Sequence, residues 1–416
     1  MAGMDEGMAV GPRAQARVDL GAVRANVASL RAHAPSAELM AVVKADGYGH
    51  GMVPCARAAL AGGATWLGAA VIEEALGLRA AGIRVEDARV LTWLCAPGED
   101  FAAAIAADVD VSAGAVWTVR EIAAGAAAAG RTARLHLKAD TGLGRGGAAT
   151  AEWADLVDAA LKEEAAGRVR IVGLWSHLAC ADEPGHPSVA AQLAAFRAAV
   201  GHAERAGARP EVRHLANSAA TVALPDTHFD LVRTGIANYG LSPIPAAGGP
   251  AAYGLRPAMT LTARLALVKR VPAGHGVSYG HHYVTDRETT LGLVPVGYAD
   301  GLPRAASSRG PILAAGKVRR IAGRVCMDQV VLDLGDDPAE AGDEVVLFGP
   351  GDGGEPTAQD WADLLGTITY EIVTRIGARI PRTYPGAEAD PERADPERAD
   401  PGTADPGTAD RGTAGG

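Results

Sequence analysis

Cysteine is scarce in this chain. There are four in 416 residues, Cys55, Cys95, Cys180 and Cys326, widely spaced and in no paired motif. That argues against a disulfide framework or a cysteine-based zinc site, and fits reduced thiols in a cytosol. No metal is expected. An excess of positive charge is also missing, since the formal net charge is -10. Non-specific binding to nucleic acid or to an anionic membrane is disfavoured, although much of the acidity sits in the C-terminal tail. No apolar run is long enough to span a bilayer. The first fifteen residues carry Asp5 and Glu6 and no apolar core of a signal peptide, so a cytoplasmic location and no membrane partner are expected.

What is present is a globular composition, 48% hydrophobic and 21% charged, in a chain long enough for two domains. From Ala389 the sequence repeats Ala-Asp-Pro-Glu-Arg and then Ala-Asp-Pro-Gly-Thr. With no apolar side chain larger than alanine, such repeats cannot offset their ordering entropy, so residues 386–416 are expected to be a disordered tail.

Between residues 38 and 237 short apolar stretches alternate with alanine-rich helical ones. The expected strands are 39–43, 66–71, 89–94, 109–112, 134–138, 171–177, 212–216 and 231–236. Helical periodicity marks 20–34, with Asp19 as its N-cap, 150–166 and 190–207. Eight alternating units imply a closed (β/α)8 TIM barrel over residues 17–250. An open doubly wound sheet competes, but Gly-x-Gly-x-x-Gly is absent after the first strand. Beyond residue 250 the texture becomes Val- and Thr-rich, with runs at 260–268, 289–296, 316–321, 329–334 and 344–348. A strand-rich β-domain over 251–385 is expected, with one helix capped by Thr357.

Lys44 ends the first apolar run and precedes Ala45-Asp46-Gly47-Tyr48-Gly49-His50-Gly51. A desolvated lysine loses basicity and gains nucleophilicity, which suits imine formation with an aldehyde. Taken alone, it could equally be a strand-end lysine reaching into water. The other strand ends favour the first reading. They carry Lys138 to Arg145, Ser176-His177, Asn217-Ser218 and Arg233 to Ile236. Barrel enzymes place their chemistry at these ends, and the last two loops commonly bind phosphate. A lysine together with a phosphate pocket points to pyridoxal phosphate, with Lys44 as its Schiff-base residue.

The chain resembles the alanine racemase family of fold-type III pyridoxal phosphate enzymes over roughly residues 17 to 384. The likeness rests on Val42-Val43-Lys44-Ala45-Asp46-Gly47-Tyr48-Gly49-His50-Gly51, Lys138-Ala139-Asp140-Thr141-Gly142-Leu143-Gly144-Arg145, Ser176-His177-Leu178-Ala179-Cys180-Ala181-Asp182, Asn217-Ser218-Ala219, Val232-Arg233-Thr234-Gly235-Ile236, Val277-Ser278-Tyr279-Gly280, Gly297-Tyr298-Ala299-Asp300-Gly301 and Gly323-Arg324-Val325-Cys326-Met327-Asp328. Leu143 and Leu178 stand where methionine and phenylalanine are common in the family. Neither carries chemistry.

The resemblance implies racemisation by two bases on opposite faces of the substrate, Lys44 and Tyr279, since one group does not readily reach both. It implies that His177 assists Tyr279, and that Arg233 faces the pyridine nitrogen, donating to it rather than protonating it. Arg145 would contact the cofactor's phenolic oxygen and the substrate, with Lys138 a candidate for carbamylation beside it. Tyr48, Asn217, Ser218, Gly235, Ile236 and Tyr370 would complete the cofactor site. The Met327 backbone would bind the substrate carboxylate, and Asp182, Tyr298, Arg304 and Arg324 would line the access channel. Tyr279 lies in the β-domain and Lys44 in the barrel, which implies a homodimer with shared sites. The expected role is supplying D-alanine for cell-wall peptidoglycan. A racemase of broader specificity acting on serine, a decarboxylase of the same fold type and a non-catalytic pyridoxal phosphate carrier remain alternatives.

Overall fold

A computed structural model describes residues 11–386 apart from Pro184. The repeats from Ala389 onward lie outside the described residues. The chain begins with β1 (Ala14–Val18), then the helix Leu20–His33, capped by Asp19, whose Oδ1 accepts from Ala22 N at 2.9 Å. Eight strands follow, β2 (Glu38–Val42), β3 (Trp66–Ala69), β4 (Arg89–Thr92), β5 (Val109–Ala113), β6 (Ala133–Lys138), β7 (Val169–Trp175), β8 (Val212–His214) and β9 (Leu231–Thr234). They form one sheet in the order β8-β7-β6-β5-β4-β3-β2-β9 with every paired neighbour parallel. Backbone bonds from Asp230 N to Arg213 O and from Arg233 N to Ala216 O, each 3.0 Å, bring the two outer strands together and all but close the barrel.

The strands are short and apolar because both faces are covered, by helices outside and by packed side chains within. Val90, Val111, Leu135, Leu137, Leu174 and Val232 are fully buried. The helices Trp153–Ala165 and Pro187–Ala206 match the expected helical stretches to within three residues at each end.

The second body holds β10 (Met259–Arg264), β11 (Leu267–Val271), β12 (Gly276–Val277), β13 (Tyr283–Val284), β14 (Thr289–Val294), β15 (Pro311–Ala314), β16 (Lys317–Arg320), β17 (Val330–Gly335), β18 (Glu344–Phe348) and β19 (Arg382–Thr383). Its six-stranded sheet runs β16-β15-β18-β10-β1-β19, and β11-β14-β17 form a separate sheet. One expectation is corrected and one element is new. The run at 260–268 is two strands in different sheets, broken at Leu265-Ala266. And β1, unforeseen, sits between β10 and β19 in the second body rather than in the barrel. The expected helix is found as Ala358–Leu365, with Thr357 and Asp360 forming a reciprocal cap.

The end of the described chain fixes the turn after β2. Arg382 Nε donates to Gly49 O at 2.9 Å, and Tyr384 Oη donates to His50 O at 3.2 Å. A side chain on Gly49 would run into the Val373 carbonyl, so glycine permits this close approach.

Candidate active site

The loop that follows Lys44 is a single left-handed turn. Ala45, Asp46, Gly47 and Tyr48 have φ of 52°, 51°, 61° and 53°. Left-handed geometry costs about 1–2 kcal/mol per non-glycine residue, so outside contacts must hold it. Glu74 supplies one, accepting from Ala45 N at 2.6 Å. Asp46 supplies another, accepting from Met52 N at 2.9 Å. The turn brings Tyr48 into the cavity against Tyr239 and Tyr370, with ring centroids 5.0 and 6.1 Å away.

Lys44, Tyr48, Lys138, Arg145, His177, Asn217, Ser218, Arg233, Gly235, Ile236 and Tyr370 line one cavity of about 800 Å3, and none of the described residues lining it is a carboxylate. Four cations with no acid among them make it an anion site. Burial and then the Arg145 charge lower the Lys44 pKa. Burial, Arg233 and Arg145 bring Lys138 down from 10.5 to about 8. Burial, with Arg233 and three further cations, takes His177 well below its ordinary value, so its ring is neutral.

Arg233 is 4% exposed and touches no acid among the described residues. Its Nη2 donates to Ser176 O at 2.8 Å, Leu215 O at 3.1 Å and His177 Nδ1 at 3.2 Å, and its Nη1 donates to His214 Nδ1 at 3.1 Å. Burial lowers its pKa to about 9, which leaves it cationic at neutral pH. Trp175 underlies both cations, its ring centroid 4.9 Å from the Arg233 guanidinium and 4.3 Å from Lys138 Nζ.

Ser218 Oγ accepts from Gly235 N at 2.8 Å and Ala237 N at 3.5 Å. Its own proton is therefore free to donate into the cavity it lines. A Cβ on Gly235 would lie 3.1 Å from Tyr48 Cζ and closer still to its hydroxyl. This bare backbone between two hydroxyls is a cradle that fits a phosphate. Asn217 lines the same cavity, but its Oδ1 is engaged as an N-cap to Ala220 N at 3.0 Å. Arg145 is carried by a loop pinned by Asp140, which accepts from Gly142 N at 2.9 Å and Gly144 N at 3.2 Å.

The remaining predicted residues are not brought here. Tyr279, Met327 and Tyr298 are 71%, 53% and 42% exposed, and none of them lines the cavity. They belong to one cluster of loops on the β-domain. Ser278 Oγ donates to Arg324 O at 2.9 Å, Tyr298 N donates to Cys326 O at 3.0 Å, and Ala299 N donates to Met327 O at 2.9 Å. Asp182 and Arg304 are exposed and also outside the cavity lining.

Trp93, Trp117 and Trp175 line the cavity and were not singled out in the sequence. Neither were His214, His136 and Asp110 behind Arg233. Strand alternation carried a signal for some of these, since Arg134, His136 and Lys138 share one face of β6.

The chain matches the sequence profiles "Alanine racemase, N-terminal domain" over residues 18–243 and "Alanine racemase, C-terminal domain" over residues 258–384. It is 64% identical over 372 residues to the alanine racemase of Frankia casuarinae, covering 89% of this chain and 96% of that protein. The crystal structure of alanine racemase from D-cycloserine-producing Streptomyces lavendulae superposes with a TM-score of 0.89 at 63% identity, covering 91% of this chain and 98% of that one. A more distant structure, alanine racemase from Bartonella henselae with covalently bound pyridoxal phosphate, gives a TM-score of 0.79 at 28% identity over 90% of this chain and all (100%) of that one. Cavity, fold and relatives agree, and the chain belongs to the alanine racemase family.

Proposed function

We propose that this protein is a pyridoxal-phosphate-dependent racemase that interconverts L- and D-alanine, and that it works as a homodimer with shared sites. The observation that carries the reading is the acid-free cavity, in which Lys44, of lowered pKa, shares the lining with a Ser218–Gly235–Tyr48 cradle. Lys44 would hold the cofactor covalently. Ser218, Gly235, Ile236, Tyr48 and Tyr370 would take its phosphate, Arg233 its pyridine nitrogen and Arg145 its phenolic oxygen. When bound, pyridoxal phosphate supplies the electron sink that makes the Cα–H of an amino acid acidic.

The chain's own residues then handle the proton. Lys44 Nζ, poorly solvated and next to Arg145, gives up its proton readily and so takes one from Cα on its side. A second group must serve the opposite face. Tyr279 has a phenol of the right kind, but it is exposed and away from this cavity, so it comes from a second copy of the chain. Its near neighbours Met327 and Arg324 would arrive with it, Met327 offering its backbone N–H to the substrate carboxylate and Arg324, with Tyr298, Arg304 and Asp182, lining the access channel. Neutral His177, held by Arg233 through Nδ1, keeps Nε2 available to pass a proton to or from that phenol. A cationic Arg233 donates to the ring nitrogen without surrendering a proton to it. Lys138 would be carbamylated and so become an acceptor for Arg145.

All four cysteines are free, which supports a reducing cytoplasmic setting. Among the described residues no helix is long and apolar enough to cross a membrane. D-Alanine made there would serve as a precursor of peptidoglycan. The test is chiral. Purified protein is incubated with pyridoxal phosphate and either L-alanine or L-serine, and the D-enantiomers are quantified. Rapid D-alanine with little D-serine supports the proposal. Comparable D-serine replaces it with a broader racemase, and no D-product overturns it.

A further inference from the structure

Behind Arg233 the barrel interior holds three polar side chains that the mechanism does not use. Asp110, His136 and His214 are at most 2% exposed. They form one file. Arg233 Nη1 lies 3.1 Å from His214 Nδ1, His214 Nε2 lies 3.0 Å from His136 Nδ1, and His136 Nε2 lies 3.1 Å from Asp110 Oδ2.

Only one arrangement of protons satisfies all three contacts. Arg233 can only donate, so His214 Nδ1 must be bare and His214 Nε2 must carry the proton. His136 Nδ1 must then accept, and His136 Nε2–H donates to the Asp110 carboxylate. Reversing the file would set two donors against each other at Arg233 and two acceptors at Asp110. Asp110 is itself held by Arg89 at 2.8 Å and Arg134 at 3.0 Å, and Glu211 joins those two arginines to Arg170.

The backbone is shaped for this file. The β6–β7 pairing shifts register between Leu135 and His136, so that His136 falls opposite Gly173. Such bulges re-aim a side chain. A Cβ on Gly173 would lie 2.6 Å from His136 Cγ and closer to Nδ1, so only glycine leaves room for the ring. His214 is also stacked on Trp175, with centroids 5.5 Å apart and planes 1° from parallel.

We propose that His136 and Asp110 are positioning residues for Arg233. Asp110 keeps the proton on His136 Nε2, His136 Nδ1 then accepts from His214 Nε2–H, and the His214 ring so anchored holds the guanidinium in the one setting that serves the cofactor's ring nitrogen. The inference rests on the role given to Arg233 above.

The test reads protons directly. Holoenzyme labelled with 15N-histidine is examined by NMR, and the two rings are recognised in the wild type by the 15N–15N coupling across their shared hydrogen bond. The expected result is neutral His136 and His214, each protonated at Nε2. A His214 protonated at Nδ1, or at both nitrogens, overturns the proposal, and this wild-type measurement stands even if the variant fails to fold. In His136→Phe, His214 Nε2–H loses its acceptor and its 15N resonance moves, the bound-cofactor absorbance shifts, and kcat falls on the order of tenfold with little change in KM. Glu211→Gln disturbs the same arginine cluster without touching the histidines and leaves all three readouts in place. Equal behaviour of the two variants would reduce the file to barrel packing and refute the idea. If no racemisation occurs at all, the tautomers still decide this proposal separately from the proposed function.

Discussion

Gly235→Ala is the sharpest perturbation of the cofactor cradle. The new methyl would sit 3.1 Å from Tyr48 Cζ and nearer still to the hydroxyl. Ordinary contact begins near 3.4 Å, so the phenol has to move. It has little room, because its ring packs against Tyr239 at 5.0 Å and Tyr370 at 6.1 Å. Overpacking of this kind costs roughly 1–3 kcal/mol. Most of that should appear in cofactor binding, because the methyl and the displaced hydroxyl occupy the space where the phosphate would lie. At 1.4 kcal/mol per decade, the expected loss of affinity is roughly fivefold to a hundredfold. Pyridoxal phosphate is titrated into apoprotein, followed by quenching of the cavity tryptophans Trp93 and Trp175. Gly249→Ala is the control, since a Cβ there meets nothing within 4 Å. Wild-type affinity in Gly235→Ala would refute the cradle.

Lys138 is predicted to link stability to pH. It loses its proton near pH 8 in the folded chain against 10.5 ordinarily. Between those values the unfolded chain binds more protons, so the stability of the uncarbamylated apoprotein should rise as pH rises through the window. Lys138→Met should flatten that rise in denaturant titrations, and an unchanged slope would contradict the shift. The same depressed pKa leaves about one amine in ten neutral at pH 7, far more than for an ordinary lysine. Incubation with 13C-bicarbonate should therefore give a carbamate carbonyl signal that is lost in Lys138→Met. Glu74→Ala removes the acceptor for Ala45 N and, at 2.8 Å, for Ala70 N. The expected loss is about 1–3 kcal/mol in chemical denaturation, with Lys44 becoming more acidic still because the one charge raising its pKa is gone.

The barrel and its site were legible because they are local in sequence. Most strands carry an apolar run, and the site groups lie at or just past its end, as Lys44 follows β2 and Arg233 ends β9 but for one residue. Caps such as Asp19 and Thr357 are likewise set within four residues. What stayed hidden depends on distant partners. β1 reads Ala-Gln-Ala-Arg-Val, too polar for a core strand, and becomes one only between β10 and β19. The break at Leu265-Ala266 is invisible locally, because Thr260 to Val268 holds no glycine, proline or other turn residue to mark where the chain changes sheets. The left-handed turn after Lys44 has one glycine among its four residues. It is imposed by Glu74 and by the returning C-terminal segment, neither of which the local sequence announces. The file behind Arg233 needs a bulge at Val172 and a glycine beside it at Gly173, features of β7 whose meaning appears only once β6 and β7 are paired.

The central claim is that Lys44 of one copy works with Tyr279 of another, and subunit complementation tests it most directly. Lys44→Ala and Tyr279→Phe chains, each impaired alone, are unfolded together, refolded as a mixture with pyridoxal phosphate, and assayed for D-alanine from L-alanine. Random pairing makes half of the dimers mixed, and each mixed dimer holds one intact site, so recovery of about a quarter of wild-type activity is expected. If the mixture is no more active than its separate components, each site draws both groups from one chain, or does not use them as a pair, and the account fails.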